Sequence, residues 1–130
     1  MATEVPVLSI SMLAGADLSA AQYKFVEQTG TGRNVTVCNG VTDKPLGVLQ
    51  NKPASGEVAE IMVLGMSKVS GDADLAPGDS IGCSADGQAA AYVAGTDTTK
   101  YIVGRVIDDN TAAGGIVSAL INCLAPARGA

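Results

Sequence analysis

The residues of this chain that could do chemistry are few, and their spacing does not suit it. Glu57 and Glu60 come nearest to a paired acid and base. Three positions apart on an extended segment, they point to opposite faces and cannot share one substrate. Asp72, Asp74 and Asp79 crowd the loop DADLAPGD. A calcium site needs several oxygens converging on one point, and this loop has neither EF-hand spacing nor its closing Glu. Asp108-Asp109-Asn110 reads as a turn, in which short polar side chains bond their own backbone. Gly30-x-Gly32 and the segment from Gly95 to Lys100 suggest phosphate loops, but GTDTTK lacks the second glycine and no long helix follows it. Lys52 and Lys68 read as surface lysines. Cys38, Cys83 and Cys123 lie far apart with no CxxC spacing, so they are expected to be small buried thiols in a reducing compartment rather than zinc ligands or a redox pair.

The chain has no His. Within one chain this removes the Ser-His-Asp and Cys-His arrangements, the His general base and the His metal ligand. The net charge is -5, and the 8 basic residues are scattered, whereas a nucleic-acid binder needs a basic stripe to neutralise phosphates. The expectation is a protein without catalytic residues, cofactor, metal, small-molecule substrate or nucleic-acid partner. No apolar run reaches the ~18 residues that cross a bilayer, so no membrane role is expected. The apolar N-terminus begins its charges with Glu4 and holds Pro6, which argues against a signal peptide. Without secretion, the sequon Asn34-Val35-Thr36 carries no meaning.

What remains is architecture. Hydrophobic residues make up 47% of the chain and aromatics only 3%, so the core must be Ala, Val, Ile and Leu packed in thin layers. The length suits one domain able to bury roughly two thirds of its unfolded surface. Residues 1–16 read as an extended arm, with Pro6 excluding a helix interior. The arm is either an edge strand of the same domain or a segment that reaches a neighbouring subunit. In the second case, removing residues 2–13 should spare folding and reduce attachment. Asp17 to Ala21 offers a short helical turn, with Ser19 and Gln22 as a weak capping box.

Strands are expected at 23–27, 34–38, 46–50 and 58–64, and again at 80–83, 88–93, 101–107 and 116–124, with turns between them. Asn39-Gly40 and Asp86-Gly87 are tight-turn signals. The two sets run in the same order: Gly104 stands against Gly47, and the turn from Asp108 to Gly115 is one residue longer than its counterpart. Residues 17–130 are therefore read as one domain built from two related strand-turn-strand units, about 17–70 and 74–124. A single hairpin unit is marginal in water, and two facing each other can close. The fold class is all-β: a compact small β-barrel or sandwich. Ile61, Met62, Val63 and Leu64 are apolar in succession, so both faces of that strand must be covered. Plain core covers them, or else a second copy of the chain does.

Several pieces of the sequence carry a resemblance: Gln22-Tyr23, the run LGVLQNKP from Leu46 to Pro53, Gly56-Glu57, GMSKV from Gly65 to Val69, Gly78-Asp79 and Gly87. Over residues 17–124 the chain resembles the small capsid decoration, or head-stabilising cement, proteins of tailed bacteriophages, and more narrowly those of the DUF2190 type. The resemblance implies a non-enzymatic virion protein, made in the host bacterial cytoplasm. Such a protein sits on the outer capsid surface as a trimer and bridges neighbouring major capsid protein subunits of the expanded head. On that reading Val5, Pro6, Val7 and Leu8 of the arm would touch the capsid, and Ile61 to Leu64 would meet another subunit. The alternative is a β-domain, free or displayed on a virion, that binds carbohydrate or a cell surface. Sugar binding uses exposed aromatics, and Tyr23, Phe25, Tyr92 and Tyr101 all fall in expected strands.

Overall fold

Eleven strands account for every regular element in the computed structural model, which describes residues 4–30, 32–108 and 115–129. The first three residues of the arm, Thr31 between Gly30 and Gly32, most of the Asp108–Gly115 turn and Ala130 lie outside the described residues. In chain order the strands are β1 (Val5–Ala14), β2 (Phe25–Gln28), β3 (Asn34–Val37), β4 (Gly47–Leu49), β5 (Val58–Ser70), β6 (Ser80–Cys83), β7 (Ala89–Ala91), β8 (Tyr101–Ile102), β9 (Gly104–Val106), β10 (Ile116–Asn122) and β11 (Ala127–Arg128).

Nine of them form one sheet in the order β1-β3-β2-β4-β5-β10-β9-β6-β7, while β8 and β11 make a small second ladder. The chain is all-β. The sheet is folded over in a sandwich-like form and does not close all round into a barrel. The fold-over is visible in β1, which pairs in parallel with β3 and antiparallel with β5. β5 and β10 form the centre, paired antiparallel from Leu64 to Ser70. Outward from that pair the order is β4, β2, β3 on one side and β9, β6, β7 on the other, every pairing antiparallel.

Gly47 and Gly104 hold matching places in this arrangement. A Cβ on Gly104 would lie 2.6 Å from the Leu120 carbonyl oxygen in the next strand, and a Cβ on Gly47 would overlap that of Met62. Only glycine lets these backbones approach so closely. The core runs through both halves without a break. Phe25, Val26, Val35, Val48, Leu49 and Ile61 fill it from the first half, with Ile81, Val106 and Val117 from the second. At about 25 cal/mol per Å² of apolar surface removed from water, this burial is the main stabilising term.

The arm is a strand of the main sheet, bonded along β5 from Val5 to Leu13, which agrees with the first of its two alternatives. Several other expected elements differ from the observed ones. The Asp17–Ala21 segment is a turn and not a helix: the Asp17 carboxylate accepts from the Ser19 N–H at 3.1 Å, where a capping box would have used Ser19 as the acceptor. Asn39-Gly40 does not make a two-residue hairpin. The chain leaving β3 must pass β2 to reach β4, and the longer loop is closed by Asp43, whose carboxylate accepts from the Asn39 and Gly40 N–H groups at 3.0 and 2.9 Å. The Asp86-Gly87 turn does join its hairpin, with Gly87 at φ +78°. β5 runs six residues past its expected end because β10 pairs with that extension. The expected 101–107 strand breaks at Val103, since β8 pairs with β11 and β9 with β6 and β10.

Candidate partner-binding face

The strongest candidate for contact with another molecule is an apolar groove on the outer face of β1, β5, β9 and β10. β1 reaches this face through an irregularity in its own ladder. Pro6 stands opposite Gly65, and the register slips between Pro6 and Leu8 and again before Ser9. Pro has no N–H to give a ladder, which suits a bulged edge position. Gly65 takes φ +134°, and a Cβ there would lie 2.6 Å from the Val5 carbonyl oxygen, so glycine is required for β1 to pass. The slip turns Val7 outward, where 69% of its surface is exposed.

Val7, Leu64, Gly65, Ile102, Gly104 and Leu120 line a cavity of about 580 Å³. Leu120 is 47% exposed, and Val5, standing opposite Met66, is 57% exposed. Arg105 and Asn122 supply polar atoms at the margin. A concave apolar centre with a polar rim is the anatomy of a protein-binding surface. Nearby, Lys68 reaches Glu4 at 3.8 Å, which ties the start of β1 to β5.

The structure divides the residues singled out in the sequence. Val7 and Leu64, one from each expected contact set, meet in this groove. Val5 and Leu8 are exposed on β1, and Pro6 is exposed beside them. Ile61, Met62 and Val63 do not join them. They are 0%, 2% and 3% exposed and belong to the chain's own core. Of the two alternatives for this run, their burial fits plain core, while Leu64 stays half-buried at the groove.

Several of the residues weighed for chemistry are bonded to their own chain. Glu57 accepts from the Ala54 N–H at 2.7 Å and Glu60 from the Ser11 hydroxyl at 2.8 Å. Asp79 accepts from the Ala76 N–H at 2.9 Å. In the 95–100 segment, Asp97 accepts from the Val93 N–H and pairs with Lys100 at 3.2 Å, while Lys100 lies over the Tyr92 ring. All three cysteines are free and buried. Among the described residues, sequence spacing missed one group, Glu27, Cys38 and Asp43, whose ligand atoms from a strand and a loop lie within 4.8 Å of one another.

No family model and no curated protein sequence matches the chain. In three dimensions it is similar to the N base of the head fibre gp8.5 of bacteriophage phi29, known from a crystal structure, with a TM-score of 0.65. The fold is shared. The match covers 89% of this chain and 94% of that one at 16% identity, so nearly the whole of each molecule follows one course although the side chains have largely changed. The decoration-protein resemblance rests on the residues quoted for it, LGVLQNKP and GMSKV above all.

Proposed function

We propose that this chain is a structural protein of a phage virion that attaches to the outside of the head. The observation that carries the proposal is the fold shared end to end with the base of a phage head fibre. The motif resemblance to capsid decoration proteins supports the same reading independently. So does the groove, since a shell component needs a surface for its neighbour and no catalytic group.

In its finer form, the proposal has the protein bridge neighbouring major capsid protein subunits of the expanded head, as a homotrimer, without enzymatic activity. The groove around Val7, Leu64 and Leu120 takes the capsid contact that the sequence assigned to Val5 through Leu8. The test is co-sedimentation of the purified chain with expanded, DNA-free phage heads. Saturable binding at a fixed ratio to the major capsid protein, with heads becoming harder to disrupt, is the expected result. A folded chain that leaves every matched head bare would overturn it, and would favour the binding-module alternative, to be followed by glycan and cell-surface screens.

A further inference from the structure

The loop from β3 to β4 gathers side chains that head attachment does not use. Glu27 comes from β2, Cys38 follows β3, and Asp43 closes the loop. One carboxylate oxygen of each acid and the Cys38 Sγ all lie within 4.8 Å of one another. Cys38 is wholly buried and the two acids are half-buried. Asp43 is held in place by the two backbone N–H groups of Asn39 and Gly40. The Glu27 and Asp43 carboxyls contact each other, and the Cys38 thiol contacts both Glu27 and the Cys83 thiol. Cys83 also sits against the Gly40 carbonyl at 3.4 Å and the Asp43 carbonyl at 3.7 Å.

Two carboxylate oxygens that face one another across so short a distance form half of a cation's donor set. Here a thiol completes the set. Oxygen donors alone would suit magnesium or calcium, whereas a thiolate beside two carboxylates suits a borderline ion that accepts both sulfur and oxygen in a four-coordinate shell. Of the three, Glu27 borders a cavity of about 480 Å³ between Lys44, Pro45, Leu124 and Pro126.

We propose that Glu27, Cys38 and Asp43 bind a divalent transition-metal ion of the zinc type. Binding breaks the S–H bond of Cys38 and forms a sulfur–metal bond. The thiol proton passes to solvent with any proton held by the acids, and nothing is oxidised or reduced. The ion would join β2 to the β3–β4 loop. The site is separate from the apolar groove, so it stands or falls independently of head attachment.

The test uses the full chain, purified reduced and metal-free, titrated with Co²⁺ as a spectroscopic probe and then with Zn²⁺. The expected result is a near-ultraviolet sulfur-to-cobalt charge-transfer band, visible bands of tetrahedral intensity, and displacement of both by Zn²⁺, which also raises the melting temperature. Cys38→Ser should abolish the charge-transfer band. Glu27→Gln and Asp43→Asn should each weaken binding at least tenfold while leaving the circular dichroism unchanged. Glu27→Gln keeps the side chain's shape, so it carries the test if Cys38→Ser does not fold. Absence of a charge-transfer band in the folded wild type would overturn the proposal. So would binding that Glu27→Gln leaves untouched, or a Cys38–Cys83 disulfide in the chain as isolated.

Discussion

Val7 and Leu64 line one groove because β1 bulges where Gly65 lets it pass. Their meeting gives a direct test of the attachment surface. Val7 is 69% exposed and Leu120 47%, and substitutions at such positions usually change stability by no more than about 0.5 kcal/mol. An apolar residue at the centre of an interface can contribute about 2 kcal/mol or more, or roughly thirty-fold in affinity. Val7→Lys and Leu120→Asp should therefore leave the melting temperature nearly unchanged and lower head binding at least tenfold. Retained binding by both variants would remove the groove from the capsid contact.

Deleting residues 2–13 is a poor way to ask the same question, although an extended arm in the sequence suggests it. β1 bonds to β5 along its length and to β3 at Leu13 and Ala14, and Met12 and Ala14 are buried. Its loss would strip backbone partners from β5, and each buried group left unpaired costs about 1–3 kcal/mol. Against a total stability of about 5–15 kcal/mol, the truncated chain should be unfolded or aggregated. Circular dichroism and sedimentation would check this. A truncated chain that folds and melts like the full one would show that β1 adds nothing to the sheet.

How much of this could be read from the sequence depends on how local each feature is. β6 and the Asp86-Gly87 turn follow from neighbouring residues alone, and both stand where they were expected. β1 had a signal that its Pro obscured. Leu8-Ser9-Ile10-Ser11-Met12 alternates, and the structure turns Ile10, Met12 and Ala14 inward. Two features could not be seen because they depend on distant partners. β5 continues to Ser70 because β10 lies beside it, and the 101–107 strand breaks because β11 competes for its first two residues. The Glu27–Cys38–Asp43 group had no spacing to betray it, since a strand and a crossing loop bring its members together. The apolar run at Ile61 was correctly read as covered on both faces, but the cover is the chain itself.

Gly47 and Gly104 should tolerate alanine poorly, and for the same reason. At each, the added methyl would press on a carbonyl oxygen of the adjacent strand, Met62 in one case and Leu120 in the other. Backbone cannot swing aside as a side chain can, so the strands must separate. Overpacking of this kind typically costs about 1–3 kcal/mol. Urea unfolding should show each single variant shifted to a lower midpoint with an unchanged slope. The two sites are in different halves, so the losses should add. A midpoint unchanged in Gly104→Ala would mean that β9 and β10 are less closely spaced than the structure has them.

Tyr92 should ionise late. Its hydroxyl donates to the Cys83 carbonyl at 2.5 Å inside the β6–β7 hairpin. Burial first, and then the neighbouring Cys83, Asp97 and Asp72, push its phenol up to about 12, against about 10 in an unfolded chain. The folded state thus holds this proton more tightly than the unfolded state does. The stability it contributes is whole below about pH 10 and is lost as the pH climbs from there through 12. In a spectrophotometric titration at alkaline pH, one tyrosine should appear late, together with the loss of native circular dichroism. Tyr92→Phe should remove that late step and, by leaving the Cys83 carbonyl without its donor, lower stability at neutral pH by about 1–2 kcal/mol. A late step that survives in Tyr92→Phe would assign it to another residue and leave the hairpin bond without the role given to it here.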